Sequence, residues 1–351
     1  MSAAFFSLLF ACSTIIVGKD ASSTGRVLVG HNEDDSGEIS VKHAILEGTY
    51  WSEVCESGKG LANADVFYND RGVAVVSNNG MGGGPIEPAA ELREGGIGYG
   101  LRCEAALKAN SAREAMMIIT NLVMRYGYSM PGRNYTVADK DEAWVIEIVK
   151  GSRFVARRCP DDQVVVIPNG YTIRKLDPDD ILAPSVAERA KNDADFDFTR
   201  VYQAKWRYRS PYDTFRWRHM YRIVTGCEYA DDFPFSSKSG RKVTPAMIKA
   251  ALSTHYEGTA DEVVPKHGKD AADPNAGIPV CRRNTIECTI FEFGETAAAT
   301  ALDVATGSPC ETPFVRFRPF GEGLPKDNDY SSDAAERMKA HRLHCDGCWR
   351  F

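Results

Sequence analysis

Cys12 follows an apolar leader, Met1 to Ala11, and opens the segment Cys12-Ser13-Thr14-Ile15-Ile16-Val17-Gly18-Lys19. An apolar run that stops at a small residue, then a cysteine, then a β-rich stretch points to a chain cut between Ala11 and Cys12. The cut would leave one residue with both a thiol and a free α-amine. Such an amine titrates near about 7.7–8.0, so at neutral pH a useful fraction is neutral and can take the thiol proton. One residue then supplies nucleophile and base, and the chemistry this suits is attack on an amide carbonyl.

The same residues have other readings. As a secretory signal, the leader lacks Lys and Arg and is shorter than the usual roughly 15–30 residues. As a lipoprotein signal, Leu9-Phe10-Ala11-Cys12 ends in Ala-Cys, but Phe10 is bulky where a small or aliphatic residue is expected. Cys12 is also a candidate for plain core, since free cysteine is among the most buried residue types.

Polar residues at strand ends supply partners. Gly30-His31-Asn32-Glu33-Asp34 ends a second strand, and a hairpin brings that end beside Cys12. Asp34 would hold the ammonium form and orient the amine, and His31 would contact substrate or tune the thiol. Asn78-Asn79 and Asn169 each follow an apolar strand. An asparagine amide is a neutral donor, and a tetrahedral oxyanion needs fixed donors about 2.7–3.1 Å away. The plainer alternatives are a solvated Asp34 and turn-forming asparagines.

The elements that position these groups follow from periodicity. Ser13 to Val17 and Gly25 to Gly30 read as a hairpin, with Val73 to Ser77 as a later strand. The glycine-rich loop Gly80 to Pro85 lacks the Lys-Ser or Lys-Thr pair of a phosphate cradle. Helices are expected over Gly100 to Lys108 and Ser111 to Tyr126, the second with Ser111 as N-cap and Glu114 as capping-box partner. Strands return at Asn134–Val137, Ala143–Val149, Arg153–Arg157 and Val164–Ile167. A charged stretch near 177–210 reads as a surface excursion. Helices over Tyr212 to Thr225 and Pro245 to Thr254 precede a strand from Thr285 to Phe293, and the tail after Pro319 reads as irregular. Strands and helices come in blocks rather than one by one. An α+β layered fold is therefore expected, and a doubly wound parallel sheet is disfavoured.

Composition narrows the function. The chain has 351 residues, 43% hydrophobic content and a formal charge of −6, with no basic stripe, so nucleic acid is not an expected partner. No apolar run after the leader approaches the roughly 18–20 residues of a membrane span. Ten scattered cysteines lack the dense spacing of a disulfide-stapled domain. Free thiols in a reducing compartment are the simpler account, which favours a cytoplasmic protein, or an exported one if the leader acts as a signal.

The chain resembles the dipeptidase A family of cysteine dipeptidases, N-terminal-nucleophile hydrolases more distantly related to secernins and choloylglycine hydrolases. The resemblance covers most of residues 12 to 293. It rests on Cys12 to Lys19, Gly30 to Asp34, Asn69 to Asn79, Ala112-Arg113-Glu114-Ala115 with Arg125-Tyr126-Gly127, and Asp141 to Glu147. It continues through Pro160-Asp161-Asp162, Ile167 to Ile173, His255 to Thr259, and Cys281 to Thr285 with Glu287. It implies a four-layer αββα sandwich, removal of residues 1–11, and a single hydrolase domain over 12–351. By position it implies Cys12 as nucleophile, Asp34 as the nearby carboxylate, and Asn79 and Asn169 as the site asparagines. His31 sits where bile-salt-type relatives carry arginine. Arg216, with Arg218 as the alternative, matches the relatives' late arginine and would bind substrate. Cys288 stands where serine is more familiar.

The expected activity is hydrolysis of short peptides, above all dipeptides, through a thioester on Cys12, with no cofactor and no metal. The expected partner is a small peptide substrate, with a homo-oligomer as a further option. Autocatalytic removal of the leader fits this scheme. The alternatives are hydrolysis of a non-peptide amide, such as an acylated amino acid or a conjugated bile salt, and a lipid-anchored binding protein acylated at Cys12. Outside the resemblance, His341, His344, Cys345 and Cys348 have zinc-ligating side chains. Their spacing is cramped and fits no standard zinc pattern, so an ordinary tail is expected.

Overall fold

The β-branched run after Cys12 forms β1 (Ser13–Val17), which is buried along its whole length. Ile15 and Val17 point into one hydrophobic cluster and Ile16 into another, so β1 lies between two apolar layers. The computed structural model describes residues 12–35, 41–54, 64–83, 92–98, 100–229, 233–264 and 278–326. The leader 1–11, the end of the glycine-rich loop and the tail beyond residue 326 lie outside those residues.

The strands that follow are β2 (Leu28–Asp34), β3 (Val41–Leu46), β4 (Thr49–Val54), β5 (Val66–Asn69), β6 (Ala74–Asn79), β7 (Tyr128–Ala138), β8 (Ala143–Gly151), β9 (Arg153–Arg158), β10 (Gln163–Ile167), β11 (Ile181–Leu182), β12 (Ser236–Lys238), β13 (Thr285–Glu292), β14 (Ala301–Ala305) and β15 (Val315–Phe317). The helices are α1 (Gly100–Lys108), α2 (Ala112–Tyr126), α3 (Pro184–Lys191), α4 (Phe198–Tyr202), α5 (Pro211–Thr225) and α6 (Pro245–Leu252). Among the described residues the strands form two sheets. One has the order β12-β10-β1-β2-β13-β14-β15, the other β11-β9-β8-β7-β6-β5-β4-β3. The pairings that place the site strands, β1 with β2 and β10, β2 with β13, and β6 with β7, are all antiparallel.

The two sheets face each other across Ile16, Val29, Val76, Val145, Val165 and Phe291. Leu101, Ile119 and Val123 of α1 and α2 cover the outer face of the eight-stranded sheet, against Val75, Val137 and Ile146. Met220, Tyr221, Ile248 and Leu252 of α5 and α6 cover the seven-stranded sheet, against Leu28 and Val164. The result is the expected αββα sandwich. Burying each such side chain contributes roughly 1.5–3 kcal/mol, so the layers are fixed by apolar area. At Gly30 a Cβ would lie 2.3 Å from Ile248 Cγ2, so a missing side chain lets α6 press onto β2 beside the site.

The structure departs from the sequence reading in several places. The stretch near 177–210 is not only a surface excursion: Val186, Phe196, Phe198 and Tyr202 are buried in the core around the eight-stranded sheet. Its charge is real, but its few large apolar residues decide where it packs. Ser111 does cap α2, accepting from Glu114 N at 3.1 Å, yet the Glu114 carboxylate reaches back to Asn110 N at 2.9 Å rather than to Ser111. Strands β3, β4 and β5 add a sheet edge that periodicity alone does not predict. Among the described residues Cys12, Cys159, Cys227 and Cys288 are free thiols.

Candidate active site

Antiparallel pairing sets Ser13 opposite Asn32, and so brings Cys12 against Glu33 at the open end of the β1–β2 hairpin. The Cys12 thiol is 1% exposed and donates to Glu33 Oε1 at 3.1 Å. Its pKa is pushed well above the ordinary thiol value by burial and then by the charges of Glu33 and Asp34; Arg133 and a backbone hydrogen bond to Asp34 oppose this. With a peptide bond on its nitrogen, Cys12 is therefore a protonated thiol. It needs a base before it can act as a nucleophile.

Alternation along β2 sends Glu33 and Asp34 to opposite faces. Glu33 points between the sheets. Burial pushes it up to about 7, against the pull of Arg133 and Arg102. His31 lies behind it, with Nε2 3.1 Å from Glu33 Oε2 and Nδ1 2.8 Å from Thr14 Oγ1. Burial lowers His31 to about 3, so the ring is neutral, and both its nitrogens are engaged inside the protein. The structure places His31 in contact with Glu33 and not on an open wall.

Asp34 turns toward the helices on the outer face. Register pairs it with Thr285, whose Oγ1 donates to Asp34 Oδ1 at 2.5 Å. Arg282 Nη1 stands 4.0 Å from Asp34 Oδ2, and that oxygen has no hydrogen-bond partner among the described residues. Burial raises the Asp34 pKa, with Arg282 and Thr285 pulling the other way.

Of the two candidate arginines, Arg216 reaches Cys12. It is fully buried, and it donates from Nη1 to the Cys12 carbonyl at 3.1 Å and to Ser13 Oγ at 3.2 Å. Nη2 donates to Asn169 Oδ1 at 2.8 Å and to Asp213 Oδ1 at 2.9 Å. Arg218 instead pairs with Asp261 at 3.6 Å on a more exposed face. Arg207 grips Asp213 with two bonds, at 2.5 and 2.7 Å. The Arg207–Asp213–Arg216 chain is buried, and removing one member of such a chain costs about 3–5 kcal/mol because the partner charge is left uncompensated.

That chain fixes Asn169. A guanidinium only donates, so the asparagine oxygen must face Arg216. The buried Nδ2 then points elsewhere, and it has no hydrogen-bond partner among the described residues. A buried, preoriented amide donor of this kind is what an oxyanion would meet. Asn79, at the end of β6, is half-buried, and its Oδ1 accepts from Met81 N at 3.4 Å. Its neighbour Asn78 is fully buried and accepts from Thr14 Oγ1 at 2.7 Å, tying β6 to β1. Gln203 joins the two asparagine segments, donating to Gly80 O at 3.1 Å and accepting from Tyr171 N at 2.8 Å.

A cleft of about 520 Å³ opens beside this cluster, lined in part by Gly170, Arg174, Gln203, Arg207, Arg209 and Asp213. It meets the site at Gly170 and Asp213; the thiol is not on its wall. The sequence reading missed Glu33, Arg133, Arg207 and Asp213 as site residues. Glu33 was legible in principle, because the β1–β2 register alone sets it opposite Cys12. Asp213 and Arg207 had no signal short of the fold.

The carboxyls near the site have a consequence for stability. Burial raises Glu33 and Glu287 to about 7 and Glu147 to about 8, while an unfolded Glu titrates near about 4.3. The folded chain holds protons that the unfolded chain has lost, so stability falls as pH rises through the folded values. His31 and His43, lowered by burial to about 3 and about 4, act the other way, but only below about pH 6.5, where unfolded histidine is protonated. The melting temperature is therefore expected to fall between pH 6.5 and 8. Glu287→Gln, which imitates the protonated acid, should make that fall shallower. A flat or rising profile in thermal melts would contradict the sign.

Comparison with known sequences and structures adds a second line. The sequence model described as peptidase family C69 matches residues 60–345, a span that holds Asn79, Asn169 and Arg216 and begins after Cys12 and Asp34. A probable dipeptidase of Latilactobacillus sakei is 25% identical over 382 residues, covering 96% of this chain and 80% of that one. A dipeptidase of Bifidobacterium longum (strain NCC 2705) is 24% identical over 425 residues, covering 97% and 78%. Among solved structures, penicillin V acylase from Agrobacterium tumefaciens aligns over 91% of this chain and 89% of that one, with a TM-score of 0.44 and 9% identity.

Proposed function

This chain belongs to peptidase family C69, and from that premise we propose that it is a cysteine dipeptidase whose nucleophile is Cys12, freed at the N-terminus by removal of residues 1–11. The observation that carries the reading is the buried network around Cys12: its thiol donates to Glu33, Arg216 joins its carbonyl to Asn169, and Asp34 Oδ2 and Asn169 Nδ2 have no hydrogen-bond partner among the described residues. The names of the Latilactobacillus and Bifidobacterium relatives support dipeptides as the substrate class.

In this reading the freed amine takes the thiol proton, and Asp34 holds the resulting ammonium. The thiolate attacks the scissile carbonyl, and Asn169 and Asn79 donate to the oxyanion. The ammonium then protonates the leaving amine, and water cleaves the thioester. Arg216 positions Cys12 and Asn169 together through its bonds to both. His31 acts through Glu33 rather than on substrate, which revises its expected role. This reading takes 12–351 as a single hydrolase domain and its compartment as the cytoplasm, with an exported form if the leader acts as a signal. Among the described residues no helix is long and apolar enough to cross a membrane.

The cleft wall is mixed, with Arg174 and Arg209 beside Tyr171, Trp217 and Phe233, so it leaves the choice between a dipeptide and an acyl amide to the assay. A lipid anchor on Cys12 fits poorly, because the thiol is 1% exposed and hydrogen-bonded to Glu33. A panel of dipeptides, an acylated amino acid and a conjugated bile salt, assayed with the processed protein, tests the substrate class. Turnover of dipeptides above the other two is expected, and turnover of the acyl amides alone would contradict it.

A further inference from the structure

His255, Cys281 and Cys310 take no part in the peptidase reading, yet they meet from three separate segments: the turn after α6, the approach to β13 and the loop after β14. A ring nitrogen of His255 and the two sulfurs all lie within 4.8 Å of one another. His255 and Cys281 are buried, and Cys310 is partly exposed. Two sulfurs and one imidazole are the donor set that a borderline-soft ion such as Zn²⁺ prefers, at about 2.3 Å to sulfur and about 2.0–2.1 Å to nitrogen. Closing the three atoms onto such an ion takes a contraction of at most roughly 1 Å.

A second observation points the same way. His255 Nδ1 lies 2.9 Å from Glu257 Oε1, while Glu257 Oε2 accepts from Thr254 Oγ1 at 2.9 Å and from His255 N at 3.0 Å. With these donors aimed at it, the carboxylate is the acceptor and Nδ1 the donor, which puts the lone pair of the neutral ring on Nε2. A carboxylate behind a histidine is the arrangement that orients metal-bound imidazoles. The backbone fixes the frame: Cys281 N donates to Thr254 O at 3.2 Å, and Val263 N to His255 O at 3.0 Å.

We propose that His255, Cys281 and Cys310 bind a zinc-class divalent cation, with Glu257 orienting the histidine and the fourth position open to water or a further ligand. As the two Zn–S bonds form, the two thiol protons pass to the buffer, so the two thiolates neutralise the ion's charge where it is buried. The ion clips together three segments, one of which carries Arg282 immediately after Cys281. Arg282 in turn bonds Tyr212 Oη at 2.8 Å and stands 4.0 Å from Asp34. The site is structural, and its proposal does not depend on the peptidase reading.

The test uses the full-length chain with Cys12→Ala, so that the nucleophile does not compete for metal. The reduced, chelator-stripped protein is titrated with Zn²⁺ alone, and in parallel with Co²⁺. One equivalent is expected to bind, with a thiolate-to-cobalt charge-transfer band and a raised melting temperature. Cys310→Ser and His255→Gln should each abolish the band, and Glu257→Gln should weaken binding by roughly tenfold or more. Cys310 is partly exposed, so its serine variant keeps the test open even if a change at buried Cys281 fails to fold. The proposal is overturned by no binding above background, by binding that survives both Cys310→Ser and His255→Gln, or by a Cys281–Cys310 disulfide that persists under reduction and blocks uptake. Loss of the band on changing Cys345 and Cys348 instead would move the metal to the tail and overturn it equally.

Discussion

Cys12→Ala is expected to reduce peptide hydrolysis to background and to leave the fold in place. The sulfur donates one side-chain hydrogen bond, to Glu33, while the neighbouring strand is held by backbone pairing to β2 and β10. Losing a sulfur–carboxyl contact is a small matter beside the buried ladder from Ser13 to Val17. Activity has no such reserve, because nucleophile and α-amine base reside in this one residue. Cys12→Ser should keep at most weak activity, since an alcohol is far less acidic than a thiol. Near-normal turnover by the alanine variant, with an unchanged thermal melt, would remove Cys12 from the chemistry.

The second large effect is expected at Asn169. Its amide orientation is fixed by Arg216, and its buried Nδ2 has no protein hydrogen-bond partner among the described residues. Losing one preorganised oxyanion donor costs roughly 2.7–4 kcal/mol. Asn169→Ala should therefore lower kcat by roughly a hundredfold or more, with a smaller change in KM. Asn79→Ala should act in the same direction. It carries a second cost, because Asn79 Oδ1 also holds Met81 N at the start of the glycine loop. If either group only positions substrate, KM rises and kcat holds. An unchanged kcat would return that asparagine to an ordinary turn.

Much of the scaffold was legible in the sequence because local rules and packing agree there. The β-branched run at Ser13–Val17, the Ser111 cap and the Pro245 helix start each state their own structure, and each is found. The edge strands β3, β4 and β5 were missed because their partners are set by tertiary pairing rather than by a clean alternation. The stretch near 177–210 misled for a related reason. Its average polarity hides Phe196, Phe198 and Tyr202, and burial is decided by those few rings.

The site shows the same division. Cys12, Asp34, Asn79 and Asn169 stand out by residue type and position, while Arg216, with Arg218 as the alternative, comes only through the family resemblance. What the sequence could not supply is direction. Alternation turns Glu33 toward the thiol and Asp34 away to Thr285 and Arg282. Two positions along α5, about half a turn, put Arg216 on the buried face and Arg218 on a partly exposed one. The Arg207–Asp213 pair sits outside any motif and is visible only once α5 is packed on the sheet.

The central claim is that Cys12 acts as an N-terminal residue. In the unprocessed chain, burial and the charges of Glu33 and Asp34 hold its thiol protonated. An amide nitrogen cannot take that proton, and a free amine, titrating near about 7.7–8.0, can. The most direct test is intact-mass measurement with N-terminal sequencing on the enzyme that turns over a dipeptide, beside a form in which a residue is kept permanently before Cys12. The account predicts that the active enzyme begins at Cys12, carries no added lipid mass, and loses its activity when Ala11 or any other residue is retained. A fully active protein that still carries Ala11 would contradict it.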